Sequence, residues 1–181
     1  MRVISGKYRG KKLFSPEGND VRPTTDRIKE TVFNILTAKS DFYGAAVLDL
    51  FSGSGSLGIE AVSRGATTAV FVDKSRDSVE LTKKNLAHVG IVAEVYNTDF
   101  KVALKKLNGR QFDFIFVDPP YFGKNEQDVF DLIQKYDLLT QNGIIFLEHS
   151  TKIGLPVLDE RYIIDDRVCG NTSIAFLQRS Y

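Results

Sequence analysis

From Gly44 onward, short apolar runs alternate with segments whose apolar positions recur every three or four residues. The runs predict buried strands and the periodic segments predict helices with one face on a core. Strands are expected at Ala45–Phe51, Thr68–Asp73, Ala93–Asn97, Phe112–Asp118 and Gly143–Glu148. Helices are expected to start at Leu57–Arg64 and to cover Ser75–Val89, Lys101–Leu107 and Glu126–Leu139. Two more strands, Tyr162–Val168 and Ser173–Gln178, follow with only Cys169-Gly170-Asn171-Thr172 between them. Strand–helix alternation demands a mostly parallel sheet covered on both faces, and a pair joined by a turn must be antiparallel. The expected class is therefore α/β, a Rossmann-like sheet of seven strands with an antiparallel last strand. Ahead of it, Val3-Ile4, Tyr8 and Leu13 suggest a hairpin turning at Ser5-Gly6 and Gly10. A helix begins at Thr24-Thr25-Asp26, with Ile28, Val32, Phe33, Ile35 and Leu36 as its apolar stripe and Thr25 or Asp26 as its cap. Residues 1–40 would then form a basic hairpin and helix packed on residues 41–181, the two making one compact unit.

Composition narrows the chemistry. The 181 residues carry one Cys, two His and no Trp. A lone Cys169 leaves no disulfide framework and no Cys-based zinc site, and His88 and His149 are too few for a histidine metal centre. No metal is expected. No apolar run reaches the roughly 18 residues of a membrane span, and the opening MRVISGKYRGKK lacks a signal peptide's apolar core. A cytoplasmic protein is the expectation. Net charge is +1, but it is unevenly spread. Residues 1–29 hold eight cations (Arg2, Lys7, Arg9, Lys11, Lys12, Arg22, Arg27, Lys29) against Glu17, Asp20 and Asp26. Such an arm, with Tyr8 and Phe14 interleaved, reads as a phosphate-contacting surface, because clustered cations release counterions from a polyanion. A solvated edge hairpin protected by its lysines is the alternative.

Gly53-Ser54-Gly55-Ser56-Leu57-Gly58 is a formal GxGxxG between the first strand and first helix, and Asp73 ends the second strand. Both match the nucleotide fingerprint of close backbone approach plus an acid for ribose hydroxyls. A tight packing turn is the bland alternative. Asp49, four positions before Gly53, discriminates between ligands. A carboxylate there would repel a dinucleotide's pyrophosphate at the helix N-terminus, whereas S-adenosylmethionine carries no phosphate and offers an ammonium beside a sulfonium. Asp99-Phe100, after the third strand, would receive the adenine. The candidate cofactor set is Asp49, Phe51, Gly53, Ser54, Gly55, Asp73, Lys74, Asp99 and Phe100.

Asp118-Pro119-Pro120-Tyr121 follows the fourth strand. Two prolines remove two amide donors and stiffen the backbone, so a carbonyl there can face a ligand. In a doubly wound sheet the first and fourth strands meet at the switch point where ligands bind, which would bring Asp49 and Asp118 side by side. The chemistry implied is methyl transfer to an exocyclic amino group. Asp118 and the Pro119 carbonyl would accept its N–H groups, and Tyr121 would stack on a flipped base. Glu148 and His149 end the fifth strand near this site, where His149 reads as a structural residue; His88 reads as a solvated helix residue and Cys169 as packing.

Several stretches together resemble the bacterial small-subunit ribosomal RNA guanine-N2 methyltransferases of the RsmD type. They are VISGKYRGKKL, RPTTDRIKETVFNIL (Arg22–Leu36), LDLFSGSGSLGIEA (Leu48–Ala61), FVDPPY (Phe116–Tyr121) and FLEHS. RPTTDR with ETVFN is the more diagnostic part, since DNA amino-methyltransferases share the glycine loop and DPPY. The resemblance implies a class I methyltransferase fold, S-adenosylmethionine as donor, and 16S rRNA of the small subunit or an assembly intermediate as acceptor, with a monomeric enzyme. Lys7, Arg9, Lys11, Lys12 and Arg22 are assigned to RNA. An adenine-N6 methyltransferase on DNA or RNA is the alternative. A nicotinamide oxidoreductase has only the literal GxGxxG in its favour.

Overall fold

The computed structural model describes residues 1–16, 26–119, 126–152, 154–158, 160–169 and 172–180. Seven strands, β1 (Ala46–Leu50), β2 (Thr68–Asp73), β3 (Glu94–Asn97), β4 (Phe112–Val117), β5 (Leu139–Ser150), β6 (Tyr162–Cys169) and β7 (Thr172–Arg179), form one sheet in the order β3-β2-β1-β4-β5-β7-β6. Pairings from β3 through β5 are parallel, and β7 runs antiparallel to both β5 and β6. The helices are α1 (Asp26–Lys39), α2 (Ser56–Ser63), α3 (Arg76–Val89), α4 (Phe100–Lys106) and α5 (Glu126–Lys135). The expected class and the antiparallel β7 are both present.

Alternation along the strands divides the core. Val47, Phe114, Phe116, Phe146 and Phe176 face one way, against Val32, Phe33 and Leu36 of α1 and Leu57 and Ala61 of α2. Leu48, Leu50, Ile115, Val117, Ile145 and Leu177 face the other way, against α4 and α5. The period of two places neighbours on opposite faces, and continuous apolar runs mark strands buried on both. The switch point lies between β1, which pairs β2 on one side, and β4, which pairs it on the other. Helix ends follow local chemistry. Ser75 caps α3 by accepting the Ser78 N–H at 3.3 Å, and Gly90 closes it at φ 85°.

Two expectations need correction. β5 begins at Leu139, not Gly143, and α5 accordingly stops at Lys135 rather than running to Leu139. The pairing of β5 with β4 jumps from Phe112↔Leu139 to Phe114↔Ile144. Thr140 to Gly143 lie between the two registers opposite the single residue Asp113, so periodicity identified only the regular part. The arm pairs with itself over a short span. Among the described residues it keeps one isolated bridge, Arg2↔Lys12, and a few backbone bonds such as Val3 N–H to Lys11 O at 2.9 Å. Other backbone groups of the arm bond to Asp26 and Lys29 of α1, Glu60 and Ser63 of α2 and Asn85 of α3.

Candidate active site

The chain leaves β1 through a turn that needs left-handed backbone at Phe51 (φ 60°), Gly53 (φ 54°) and Gly55 (φ 76°). A β-carbon on Gly58 would lie 2.3 Å from the Phe71 ring and 3.1 Å from an Asp49 oxygen. The first two motif glycines thus serve backbone conformation and the third serves close helix–sheet approach. Asp49 is 3% exposed, and its Oδ2 accepts the Gly58 N–H at 2.9 Å. Burial pushes its carboxyl well above the usual aspartate range; the Gly58 N–H opposes this, while Asp118 and Asp73 add to it. Among the described residues no Lys or Arg pairs with Asp49, and the charges bearing on it are negative. A cation placed here would relieve both the burial and the repulsion.

Asp73, half-buried at the end of β2, accepts the Gly53 N–H at 2.9 Å and the Ser75 N–H at 2.8 Å. A carboxylate has about four acceptor positions, so it retains capacity for ribose hydroxyls. Asn97 donates to Asp73 O at 3.2 Å and Lys74 O at 3.0 Å, fixing this corner from β3. Lys74 and Asp99, both candidate cofactor residues, pair with each other at 3.5 Å, and Asp99 also caps α4 through the Lys101 N–H at 2.9 Å. Phe100 is buried and packs on Phe51, ring centroids 5.5 Å apart, giving the site an apolar wall. S-adenosylmethionine carries an ammonium, a ribose and a planar adenine. A buried unpaired acid, a second acid with spare acceptor capacity and an aromatic wall fit that group.

Asp118 follows β4 directly and is half-buried; Pro119 beside it is buried. β1 and β4 pair Leu50 with Val117, so Asp118 leaves the sheet next to the cofactor turn and influences Asp49 electrostatically. Pro120, Tyr121 and Arg22 lie outside the described residues. Lys7, Arg9, Lys11 and Lys12 are exposed, with Lys11 also donating to Val89 O at 3.1 Å at the end of α3. Lys29 is different. It is fully buried, donates to Arg2 O at 2.6 Å and lies 3.8 Å from Glu60, so this cation of the basic segment faces no partner outside the chain. Burial lowers its pKa, with Glu60 and Asp26 opposing and Arg64 adding. His149, 3% exposed, bonds Asp166 at 3.0 Å, a structural contact between strands.

Residues that pattern reading missed hold the loop and the arm. Thr82 and Asn85, both fully buried on α3, bond to Gly53 O at 3.0 Å and Ser54 O at 2.9 Å. The Ser54 hydroxyl points to Met1 Sδ at 3.8 Å, so this loop residue faces the arm. Glu60, fully buried, accepts Ile4 N–H at 2.7 Å, Ser5 N–H at 3.0 Å and Arg64 Nε–H at 2.9 Å. Gly6 (φ 80°) lies so close to Ser63 that a β-carbon would fall 1.8 Å from its carbonyl oxygen. The signal that was available for Thr82 and Asn85 is their spacing of three on the inward face of an amphipathic helix.

The family model described as conserved hypothetical protein 95 matches residues 1–178. The chain belongs to that family. Its relatives include the ribosomal RNA small subunit methyltransferase D of Escherichia coli K12, 33% identical over 181 residues, covering 99% of this chain and 90% of that one. A Bacillus subtilis protein named as a candidate rRNA methyltransferase, YlbH, is 41% identical over 160 residues, 86% of each chain. Among solved structures, that of a candidate methyltransferase, yhhF, from Escherichia coli superposes with a TM-score of 0.89. It is 32% identical, with 99% of this chain and 98% of that one covered. The fold is the one shared by the methyltransferases to which the chain is similar. Among the described residues no helix is long and apolar enough to cross a membrane, and no cluster of His, Cys, Asp and Glu could hold a metal.

Proposed function

We propose that the protein methylates the exocyclic N2 amino group of a guanine in 16S rRNA of the small ribosomal subunit. One observation carries this reading. The ends of β1 and β4 set a buried, cation-seeking Asp49 beside Asp118-Pro119, in a chain whose relatives are named for small-subunit rRNA methylation. Methyl donor and amino acceptor thereby have adjacent seats. The choice of guanine N2 follows the RsmD-type pattern of Arg22–Leu36.

An exocyclic amino nitrogen is a weak nucleophile because its lone pair is delocalised into the ring. Asp118 accepts one of its N–H groups and the Pro119 carbonyl accepts the other, drawing the nitrogen toward tetrahedral geometry. S-adenosylmethionine, when bound, supplies an electrophilic methyl carbon on a sulfonium. Asp49 and Asp73 orient the donor's ammonium and ribose from the first two strand ends. Positive charge that develops on nitrogen is stabilised by the Asp118 carboxylate, and the proton finally released passes to Asp118 or to water. Holding both reactants in line is worth up to about 7–11 kcal/mol, so no strong base is required. The exposed arm cations Lys7, Arg9, Lys11 and Lys12 contact RNA phosphate. The protein acts as a monomer in the cytoplasm, on the small subunit or an assembly intermediate.

The test is incubation with methyl-labelled S-adenosylmethionine and small subunits lacking the modification, followed by nucleoside analysis. N2-methylguanosine is the expected product. N6-methyladenosine would replace the reading with the adenine alternative, and no incorporation would reject both.

A further inference from the structure

The alternation of rings and cations in the arm continues onto α3. Tyr8 lies between Lys7 and Lys11, whose ammonium groups are 5.2 Å and 5.7 Å from its ring centroid. Lys11 reaches Val89 O, and the adjacent His88 sets its ring edge-on to Phe14 at 5.1 Å. One turn earlier Lys84 holds its ammonium 4.1 Å from the Phe14 centroid. Phe14 is 40% exposed, yet its backbone is fixed at both polar groups by Asn85. The N–H donates to Oδ1 at 2.7 Å, and the carbonyl accepts from Nδ2 at 3.0 Å. The same Nδ2 donates to Ser54 O in the cofactor turn.

We propose that Phe14, with Lys84 and His88 around it, is a stacking platform for an unpaired base of the RNA, separate from the pocket that takes the target guanine. The inference rests on the reading of the protein as an rRNA methyltransferase and adds a recognition site to it. Solvent-exposed rings interleaved with cations suit single-stranded nucleic acid, where each base offers a π-face and each step a phosphate. A peptide or lipid surface would call instead for a contiguous apolar patch. The Asn85 clamp holds the ring in place before the ligand arrives, so little ordering entropy is lost on binding. Because Asn85 also grips Ser54, the platform keeps a fixed register to the cofactor turn. Lys84, whose ammonium rests on the ring, is within reach of the phosphate beside a stacked base.

The test uses fluorescence anisotropy with a labelled single-stranded oligouridylate and an abasic ribose–phosphate chain of equal length. Wild-type protein is expected to prefer the base-bearing strand. Phe14→Ala should weaken oligouridylate binding roughly tenfold and leave the abasic chain and S-adenosylhomocysteine bound as before. Phe14→Leu, which keeps an apolar group at the clamped position, should match Phe14→Ala, and Phe14→Trp should retain the preference. Lys84→Ala should weaken both strands and flatten the salt dependence. Equal binding of the two strands by the wild type, or an unchanged preference in both ring-deleted variants, overturns the platform. If the wild type methylates rRNA while those variants bind normally, only the platform falls. If it binds neither strand nor the small subunit, the rRNA reading falls with it.

Discussion

Asp49→Asn separates what a buried carboxylate costs the fold from what it does for the ligand. Asparagine keeps an oxygen for the Gly58 N–H, now at 2.9 Å, and removes the charge. In the wild type that charge is almost fully buried, with Asp118 and Asp73 adding negative potential. Its folded-state pKa is therefore raised above the unfolded value. Stability linked to Asp49 is complete below the ordinary aspartate pKa and is lost as pH rises through the raised folded value. The variant should unfold with the wild type at acid pH and above it once Asp49 ionises. Single stabilising substitutions commonly gain about 0.5–2 kcal/mol, and removing a buried charge belongs among them. At about 2–4 °C per kcal/mol for a chain of this size, that is a rise of about 1–8 °C. Binding should move the other way. Loss of one charge-assisted contact to the ligand's ammonium costs about 1.5–3 kcal/mol, or roughly 10–150-fold in affinity. Thermal unfolding from acid to mildly alkaline pH, with calorimetric titration of S-adenosylhomocysteine, measures both. A variant that melts below the wild type at every pH would show that the Asp49 charge does not strain the fold. One that binds S-adenosylhomocysteine equally well would show that it does not hold the ligand's ammonium.

Three further outcomes follow from the same geometry. Glu60→Gln leaves Lys29 buried without its counter-charge, at a cost of about 3–5 kcal/mol, and should lower the melting temperature by about 6–20 °C. Lys29 already has a depressed pKa, and losing Glu60 depresses it further. The variant's stability should therefore rise with pH over a wider alkaline window than the wild type's, and identical melting curves would contradict the buried pair. Replacing Lys7, Arg9 and Lys12 with Ala, sparing Lys11 at the end of α3, should flatten the salt dependence of RNA binding by about 0.7 per cation removed, measured by filter binding. An unchanged slope would assign the arm to structure alone. Asp118→Ala should reduce methyl transfer by about 100-fold or more in single-turnover assays while S-adenosylhomocysteine still binds; full activity would remove Asp118 from the mechanism.

Much of this architecture is legible in the chain because a local period encodes burial. Runs such as Val47–Leu50 and Phe114–Val117 declare strands buried on both faces, and strand–helix alternation then leaves few topologies. Acids at strand ends, Asp49, Asp73 and Asp118, are visible for the same reason: each interrupts or closes an apolar run. What a period does not encode is the identity of a partner distant in sequence. Lys29 reads as one more arm cation, yet the fold buries it with Glu60 from another helix. The arm reads as a self-paired hairpin and does pair Val3 with Lys11 and Leu13 with Met1, but several of its other amides are satisfied by Glu60, Ser63 and Asn85. The late start predicted for β5 has a similar origin, since Thr140 to Gly143 break the alternation where the register jumps.

The most direct test of the central claim is nucleoside analysis of small subunits, isolated without the modification, after incubation with the protein and methyl-labelled S-adenosylmethionine. Label is expected in N2-methylguanosine of 16S rRNA, and it should be lost with Asp118→Ala. Label in any other nucleoside, or N2-methylguanosine formed equally by Asp118→Ala, would contradict that claim.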